Sequence, residues 1–345
     1  YEVTVKQHPR YVNEALCTGC GECAKACPVS FDSEWDESLQ SRKAIFRAFP
    51  QAVPITYCID KLDTAPCVRT CPAHANVQGY IQLIKKGEYE KALQLIMERI
   101  PLPGVLGRVC PHPCEGACRR TELDSPLAIR DLKRFAADQV DMATLPIPKI
   151  QEVDQKVAVI GSGPAGLTTA YDLRLKGYGV TVFEAAQHPG GMLRTGIPDY
   201  RLPQEILDNE IGYIRRMGVA IETGKALGKA ITLDQLRSDG FEAVFLGLGA
   251  QGGMRLGIPG EDLKGVTDAI DFLRKTSLGS RERPGERVVV VGGGNVAIDA
   301  ARTALRLGAE QVVLAYRRTQ EEMPAYGDEI EGARQEGVVF RHLVT

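Results

Sequence analysis

The sequence is poor in several things, and each shortage removes a class of function. Basic residues are not in excess: 42 Lys and Arg stand against 44 Asp and Glu, a net charge of −2. The two signs are interspersed, with no polybasic arm. Without one, the attraction that drives binding to nucleic acid or to anionic membranes has no source, so neither is expected as a partner. No apolar run approaches the roughly 18 to 20 residues needed to cross a bilayer, and Tyr1 to Lys6 lacks the basic-then-apolar shape of a secretory signal. The chain reads as cytoplasmic. Its 345 residues, 44% apolar, are enough for two or three packed domains at roughly 150 residues each. It begins without Met and stops at Thr345, inside what reads as a nucleotide-binding unit, so it is expected to be a piece of a longer protein.

Cysteine is absent after Cys118, and all ten lie between Cys17 and Cys118. The absence excludes a dithiol relay of the thioredoxin-reductase kind in the later segment. The crowding marks a separate N-terminal function. Disulfide frameworks belong to short secreted chains, so metal or cluster ligation is the better reading. Cys17, Cys20, Cys23 and Cys27, followed by Pro28, form C-x2-C-x2-C-x3-C-P, the run of bacterial-type ferredoxins. Two-residue gaps let a loop wrap three thiolates around one face of a cubane, and Gly19 and Gly21 permit its tight turns. In two-cluster ferredoxins the fourth cysteine serves the other cluster, so Cys27 ligates either its own cluster or a neighbour. Zinc is the alternative, but zinc usually takes its ligands as two separated pairs.

The remaining cysteines are Cys58, Cys67, Cys71 and the group Cys110, Cys114, Cys118. Between them, apolar residues at helical spacing from Asn76 to Arg99, interrupted at Gly87, predict two short helices that bring Cys67 and Cys71 towards the later group. His74 and His112 are candidate ligands, with a hydrogen-bonding role favoured. Ten thiolates fill two four-cysteine clusters, so at least two 4Fe–4S clusters are expected.

Two prolines without a clear period between Ala143 and Gln155 mark a boundary. The run Val157 to Ile160 reads as a buried parallel strand, followed at once by Gly161-Ser162-Gly163-Pro164-Ala165-Gly166 and a helix to about Lys176. A second strand, Val180 to Phe183, ends at Glu184, where a carboxylate can accept hydrogen bonds from ribose hydroxyls. The helix N-terminus faces the phosphates. A second unit repeats the plan: a strand from Arg287 to Val291, the turn Gly292-Gly293-Gly294-Asn295-Val296-Ala297, a helix to about Leu307 and a strand from Val312 to Tyr316. That strand ends in Arg317-Arg318, which suit a 2′-phosphate and favour NADP over NAD. An acid at one site and arginines at the other point to a flavin, FAD, at the first and a nicotinamide at the second.

From Tyr57 to Thr345 these residues resemble the group formed by the small subunit of glutamate synthase, the N-terminal half of dihydropyrimidine dehydrogenase and the flavin subunit of NADH-dependent ferredoxin:NADP reductase. The resemblance rests on Cys67-x3-Cys71-Pro72, the Arg108 to Cys118 run, both glycine motifs, Gly190-Gly191, Gly196-Ile197-Pro198-x2-Arg201-Leu202-Pro203 and Gly257 to Gly260. It implies FAD contacts at Glu184, Gly190, Gly191, Arg201, Leu227 and Gly249, NADPH at Gly293 to Val296 and Arg317-Arg318, and two 4Fe–4S clusters in the Cys58 to Cys118 region. The family's extra cysteine falls at Lys61, and its late Glu or Gln ligand at Lys133. Residues 11 to 60 resemble the start of the flavoprotein subunit of heterodisulfide reductase.

The expected fold is α/β, with two Rossmann-like dinucleotide-binding units behind a ferredoxin-like segment and an α-helical iron–sulfur domain. The expected divisions are 1–55 (ferredoxin-like), 56–145 (α-helical iron–sulfur), 152–280 (FAD-binding, first part) and 281–345 (NAD(P)-binding, incomplete). The expected function is an FAD- and NAD(P)H-dependent iron–sulfur oxidoreductase exchanging electrons with a partner subunit or ferredoxin in a hetero-oligomeric complex. The alternatives are a heterodisulfide-reductase-like bifurcating subunit and a non-catalytic electron-transfer subunit.

Overall fold

The computed structural model describes Thr4 and residues 9–61 and 64–344. Most of the N-terminal stretch weighed as a signal, residues 1–3 and 5–6, therefore lies outside the described residues, as does Thr345. Among the described residues no helix is long and apolar enough to cross a membrane.

In chain order, the first part holds α1 (Glu22–Ala26), the strands β1 (Ser30–Asp32), β2 (Ser41–Lys43), β3 (Ile45–Phe46) and β4 (Cys58–Ile59), and α2 (Pro66–Thr70). The helices α3 (Val77–Lys85), α4 (Tyr89–Met97), α5 (Pro103–Val109), α6 (Pro113–Gly116) and α7 (Ile129–Asp138) follow. Gly87 separates α3 from α4, as the spacing predicts. The chain divides into two compact units: the described residues up to Gln78 with His112–Ile129, and Gly79–Pro111 with the described residues from Arg130 on. In the first, β1 pairs antiparallel with β2, β3 pairs antiparallel with β4, and α2 packs on α6.

The second unit carries two parallel sheets. One contains β5 (Lys156–Ile160), β6 (Gly179–Phe183), β7 (Ala220–Glu222) and β8 (Ala243–Leu246) in the order β7-β6-β5-β8. Its crossovers include α8 (Pro164–Leu175), α9 (Met192–Thr195), α10 (Gln204–Arg216) and α11 (Leu233–Ser238). The other follows α12 (Ala269–Ser277) and holds β9 (Arg287–Val291), β10 (Gln311–Tyr316) and β11 (Val339–His342) in the order β11-β10-β9, with α13 (Asn295–Arg306) and α14 (Gly327–Gln335) between strands. Strand–turn–helix–strand thus occurs twice at the predicted places, within a residue or two at each end.

Residues 56–145 are divided between the two units: 79–111 and those from 130 on belong with the nucleotide-binding part. Leu93, Met97, Leu102, Val105 and Met142 share one buried core with Val159, Leu167, Val182, Leu207 and Ile211 of the first sheet and its helices, which removes the apolar faces of α4 and α5 from water. β9 is covered on one face alone. Val288 and Val290 pack towards α13, but Val289 and Val291 are more than 60% exposed, since β9 lies at the edge of its sheet with its second face uncovered by the described residues.

Candidate functional site: cysteine loops and two nucleotide turns

None of the ten cysteines is joined in a disulfide. Gly19 and Gly21 take φ of 73° and 86°, so the first loop turns where the glycines allow it. Cys23 lies on α1 and Cys27 caps its end. Cys20 and Cys23 are exposed while Cys17 and Cys27 are half-buried. The Glu22 backbone N–H and the Thr18 hydroxyl hold the Cys20 thiol below its ordinary pKa, which eases its ionisation as a ligand.

In the helical part, burial pushes the Cys67 thiol up, and ionised Cys118 and Cys71 add to the rise. Cys67 lies on α2 and Cys71 caps its end, and Cys114 lies on α6, which packs on α2. Burial likewise raises Cys58, whose thiol reaches the Phe46 carbonyl at 3.6 Å. Cys110 ends α5 in the second unit. Among the described residues no three His, Cys, Asp or Glu side chains converge on one bare ion. A cubane takes each thiolate on a separate iron, and the first loop, four cysteines with turns at Gly19 and Gly21, is a donor set that fits one. The histidines take hydrogen bonds: His74 Nδ1 to the Val68 carbonyl at 3.2 Å, His112 Nδ1 to Glu115 at 3.3 Å. The Lys61 ammonium lies 3.9 Å from the Tyr11 ring centroid, and Lys133 is buried.

At the carboxyl end of the first sheet a cleft of about 860 Å³ opens, within the range of cofactor sites. Gly161, Gly163, Pro164, Ala165, Glu184, Gly191, Leu227 and Gly249 line it. The three motif glycines differ in kind. A Cβ at Gly166 would run into the Gly161 carbonyl, and one at Gly161 into that of Gly247, whereas one at Gly163 would meet nothing within 4 Å. The first two are required by packing and the third faces open space, where backbone can approach a pyrophosphate. Gly163 caps α8 without a side-chain acceptor, leaving the first N–H groups of the helix available to phosphate. Glu184 is buried. Its Oε2 accepts from the Ser162 N–H (2.8 Å) and hydroxyl (2.5 Å), and its Oε1 from the Ala186 N–H (2.8 Å). Of about four acceptor sites, one remains for a ribose hydroxyl. The cleft fits FAD.

Ser162, Gly166 and Gly190 sit behind this wall: the Gly190 N–H donates to the Ser162 hydroxyl at 3.1 Å. Gly191 approaches so closely that a Cβ would stand 2.8 Å from the Gly163 Cα. Arg201 departs from expectation. It does not line the cleft; its guanidinium pairs with Asp299 (2.6 Å) and Glu329 (3.0 Å) of the second nucleotide unit, because the buried Asp299 there needs a counter-charge. Burial still pushes Asp299 up to about 6. Lining residues that no motif announced are His188, Arg194, Thr195, Lys225, Gln251 and Arg274. Arg194 bonds the Pro189 carbonyl, Gln204 and Asp208, which fixes the Gly190-Gly191 turn to α10.

At the second turn, Gly294 caps α13, again without a side-chain acceptor. A Cβ at Gly293 would come within 2.6 Å of the Tyr316 ring. The Ala325 N–H donates to the Gly293 carbonyl, and the Tyr326 N–H to Asn295 Oδ1, each at 3.1 Å, a neighbouring segment the sequence did not flag. Val296 and Ala297 lie in the first turn of α13, Ala297 buried. Arg317 and Arg318 follow β10, exposed and without an ion-pair partner among the described residues. The donor set fits a nicotinamide dinucleotide with a 2′-phosphate.

Residues 155–342 match the family model described as pyridine nucleotide-disulphide oxidoreductase, residues 47–144 that of dihydropyrimidine dehydrogenase domain II, 4Fe-4S cluster, and residues 10–31 the 4Fe-4S binding domain. The NADP(+)-dependent formate dehydrogenase subunit beta of Moorella thermoacetica is 46% identical over 307 residues, 81% of this chain and 43% of that one. The NADPH-Fe(3+) oxidoreductase subunit beta of Geobacter sulfurreducens is 46% identical over 293 residues, 83% and 43% of the two chains. The glutamate synthase (NADPH) small chain of Escherichia coli is 37% identical over 293 residues, 81% and 62%. The chain thus spans less than half the length of the first two relatives. On the match over residues 155–342, the chain belongs to the pyridine nucleotide-disulphide oxidoreductase family, and is an oxidoreductase in which the reductase part follows two 4Fe–4S segments.

Proposed function

We propose that this chain is the electron-transferring part of an FAD-dependent, NADPH-linked iron–sulfur oxidoreductase that works in the cytoplasm with a partner subunit. The observation that carries the reading is the pairing, in one chain, of two unlike nucleotide turns: one with a buried carboxylate, Glu184, at its second strand, the other with free arginines, 317 and 318. The relatives' names, each a subunit of an NADP-linked enzyme, support it.

When bound, FAD would take two electrons from NADPH as a hydride and release them singly to the clusters, the conversion a flavin performs between two-electron and one-electron carriers. In this reading Gly163 and the N-terminus of α8 hold the pyrophosphate, Glu184 the adenine ribose, and Arg194 keeps the Gly190-Gly191 turn in place. Gly293 to Val296 hold the second pyrophosphate, and Arg317 and Arg318 bind the 2′-phosphate. Cys17, Cys20, Cys23 and Cys27 bind one cluster; Cys58, Cys67, Cys71, Cys110, Cys114 and Cys118 supply the rest. No side-chain acid or base is required.

Anaerobic titration of the full-length protein with NADPH and then NADH, following flavin absorbance and cluster EPR together, tests this. Bleaching by NADPH with reduced-cluster signals is expected. If dithionite reduces the flavin and neither nucleotide does, the nicotinamide assignment is wrong.

A further inference from the structure

The Cys17–Cys27 loop has a wall that its own motif does not contain. Tyr57, 40 positions after Cys17, donates its backbone N–H to the Cys17 sulfur at 3.5 Å. The same strand of chain presses on the loop's glycines. A Cβ at Gly19 would stand 3.0 Å from the Ile55 carbonyl, and one at Gly21 2.9 Å from the Tyr57 hydroxyl. Gly19 is thus packed against the backbone of residue 55 and Gly21 against the tip of the Tyr57 side chain, at turns whose positive φ already favours glycine. Over the Tyr57 ring lies Arg47, its guanidinium 5.7 Å from the ring centroid. Arg47 is half-buried and has no carboxylate partner among the described residues, so its charge is uncompensated there.

We propose that Arg47, held over Tyr57, raises the reduction potential of the cluster at Cys17, Cys20, Cys23 and Cys27. The inference rests on the reading that these four cysteines hold a 4Fe–4S cluster. The electron that reduces such a cluster adds one negative charge to an already anionic centre. A fixed cation and an N–H donated to a ligand sulfur both stabilise the reduced form more than the oxidised one. A unit charge at roughly 10 Å, in a medium of effective dielectric about 20, shifts a one-electron equilibrium by on the order of tenfold, which is about 59 mV. Lysine would keep the charge and glutamine would remove it.

The experiment is an EPR-monitored redox titration of the full-length holoprotein, with dithionite as reductant. Cys20→Ser assigns the signal of this cluster by its loss or change. Arg47→Gln is expected to lower that midpoint by about 59 mV, the tenfold shift for one electron, with other clusters unmoved and Arg47→Lys close to wild type. An unchanged midpoint in Arg47→Gln overturns the proposal, as does an equal shift of every signal. Loss of the signal together with its iron in Arg47→Gln also overturns it, since Arg47 would then be needed for assembly. If Cys20→Ser alters no signal, the ligand reading itself fails, and that failure is visible before Arg47 is touched.

Discussion

Replacing Gly163 by alanine separates the fold from the cofactor. Its φ of −68° and ψ of −178° are ordinary for alanine, and the added methyl would meet no atom within 4 Å. The flavin-free protein should change in stability by no more than about 1 kcal/mol. The methyl would nevertheless stand in the open space that the pyrophosphate needs. Pushing the phosphate off the backbone forfeits at least one hydrogen bond to a charged group, worth about 1.5–3 kcal/mol, or roughly 10- to 150-fold in affinity at 1.4 kcal/mol per decade. Gly166→Ala is the contrasting control. Its methyl would collide with the Gly161 carbonyl and crowd Val159, so it should destabilise the flavin-free protein by about 1–3 kcal/mol or more. Thermal melting of the flavin-free proteins and calorimetric titration with FAD measure the two quantities separately. Wild-type FAD affinity in Gly163→Ala, or a melting loss equal to that of Gly166→Ala, would refute the account of the cleft.

Arg201→Ala leaves the buried Asp299 without its cation, while Glu329 keeps Arg302, and should cost about 3–5 kcal/mol of stability, with FAD affinity unchanged; selective loss of FAD at unaltered stability would restore Arg201 to the flavin site. Replacing Arg317 and Arg318 together by serine should weaken NADPH binding by roughly 100-fold or more, at about 1.5–3 kcal/mol for each of two charged hydrogen bonds lost, and leave NADH binding unchanged; equilibrium titration of both nucleotides decides it. Glu210, buried where it accepts the Gly104 and Val105 N–H groups, is pushed by that burial up to about 8. The folded state then holds a proton that the unfolded state releases above its ordinary value of 4.5, so stability should fall as pH rises between these values, by about 1.4 kcal/mol per unit for one proton, and level off above. Denaturation across this range should show the slope in wild type and its absence in Glu210→Gln; parallel curves would count against it.

The parts that were legible in the sequence are those whose signal is local. Val157 to Ile160, the glycines and α8 follow one another without interruption, and Glu184 ends the next strand, so a single stretch of chain specifies turn, helix and carboxylate. Arg194, Lys225 and Arg274 line the same cleft but arrive singly on separate elements, where a charged residue looks like any solvated one. Arg201 sat within a recognisable Gly-Ile-Pro run, yet its partners are 98 and 128 positions away, and only the approach of α13 and α14 reveals them. The exposed face of β9 escaped for a related reason: a run of valines fixes the strand but not whether anything covers both its faces.

The helix carrying Arg108 to Cys110 is built into the flavin half. The Glu210 carboxylate of α10 binds the first N–H groups of α5, and Leu93, Met97, Leu102 and Val105 are buried in the core of the first sheet. Burying those four side chains is worth on the order of 6–12 kcal/mol, comparable to the whole stability of a domain. A nucleotide-binding fragment cut at residue 152 would lose that contribution and should not fold. The stretch from Ala143 to Gln155 is accordingly no hinge: α5, which ends at Cys110, and the flavin cleft belong to one compact unit, so the Cys110 backbone should resist proteolysis and hydrogen exchange together with the first sheet.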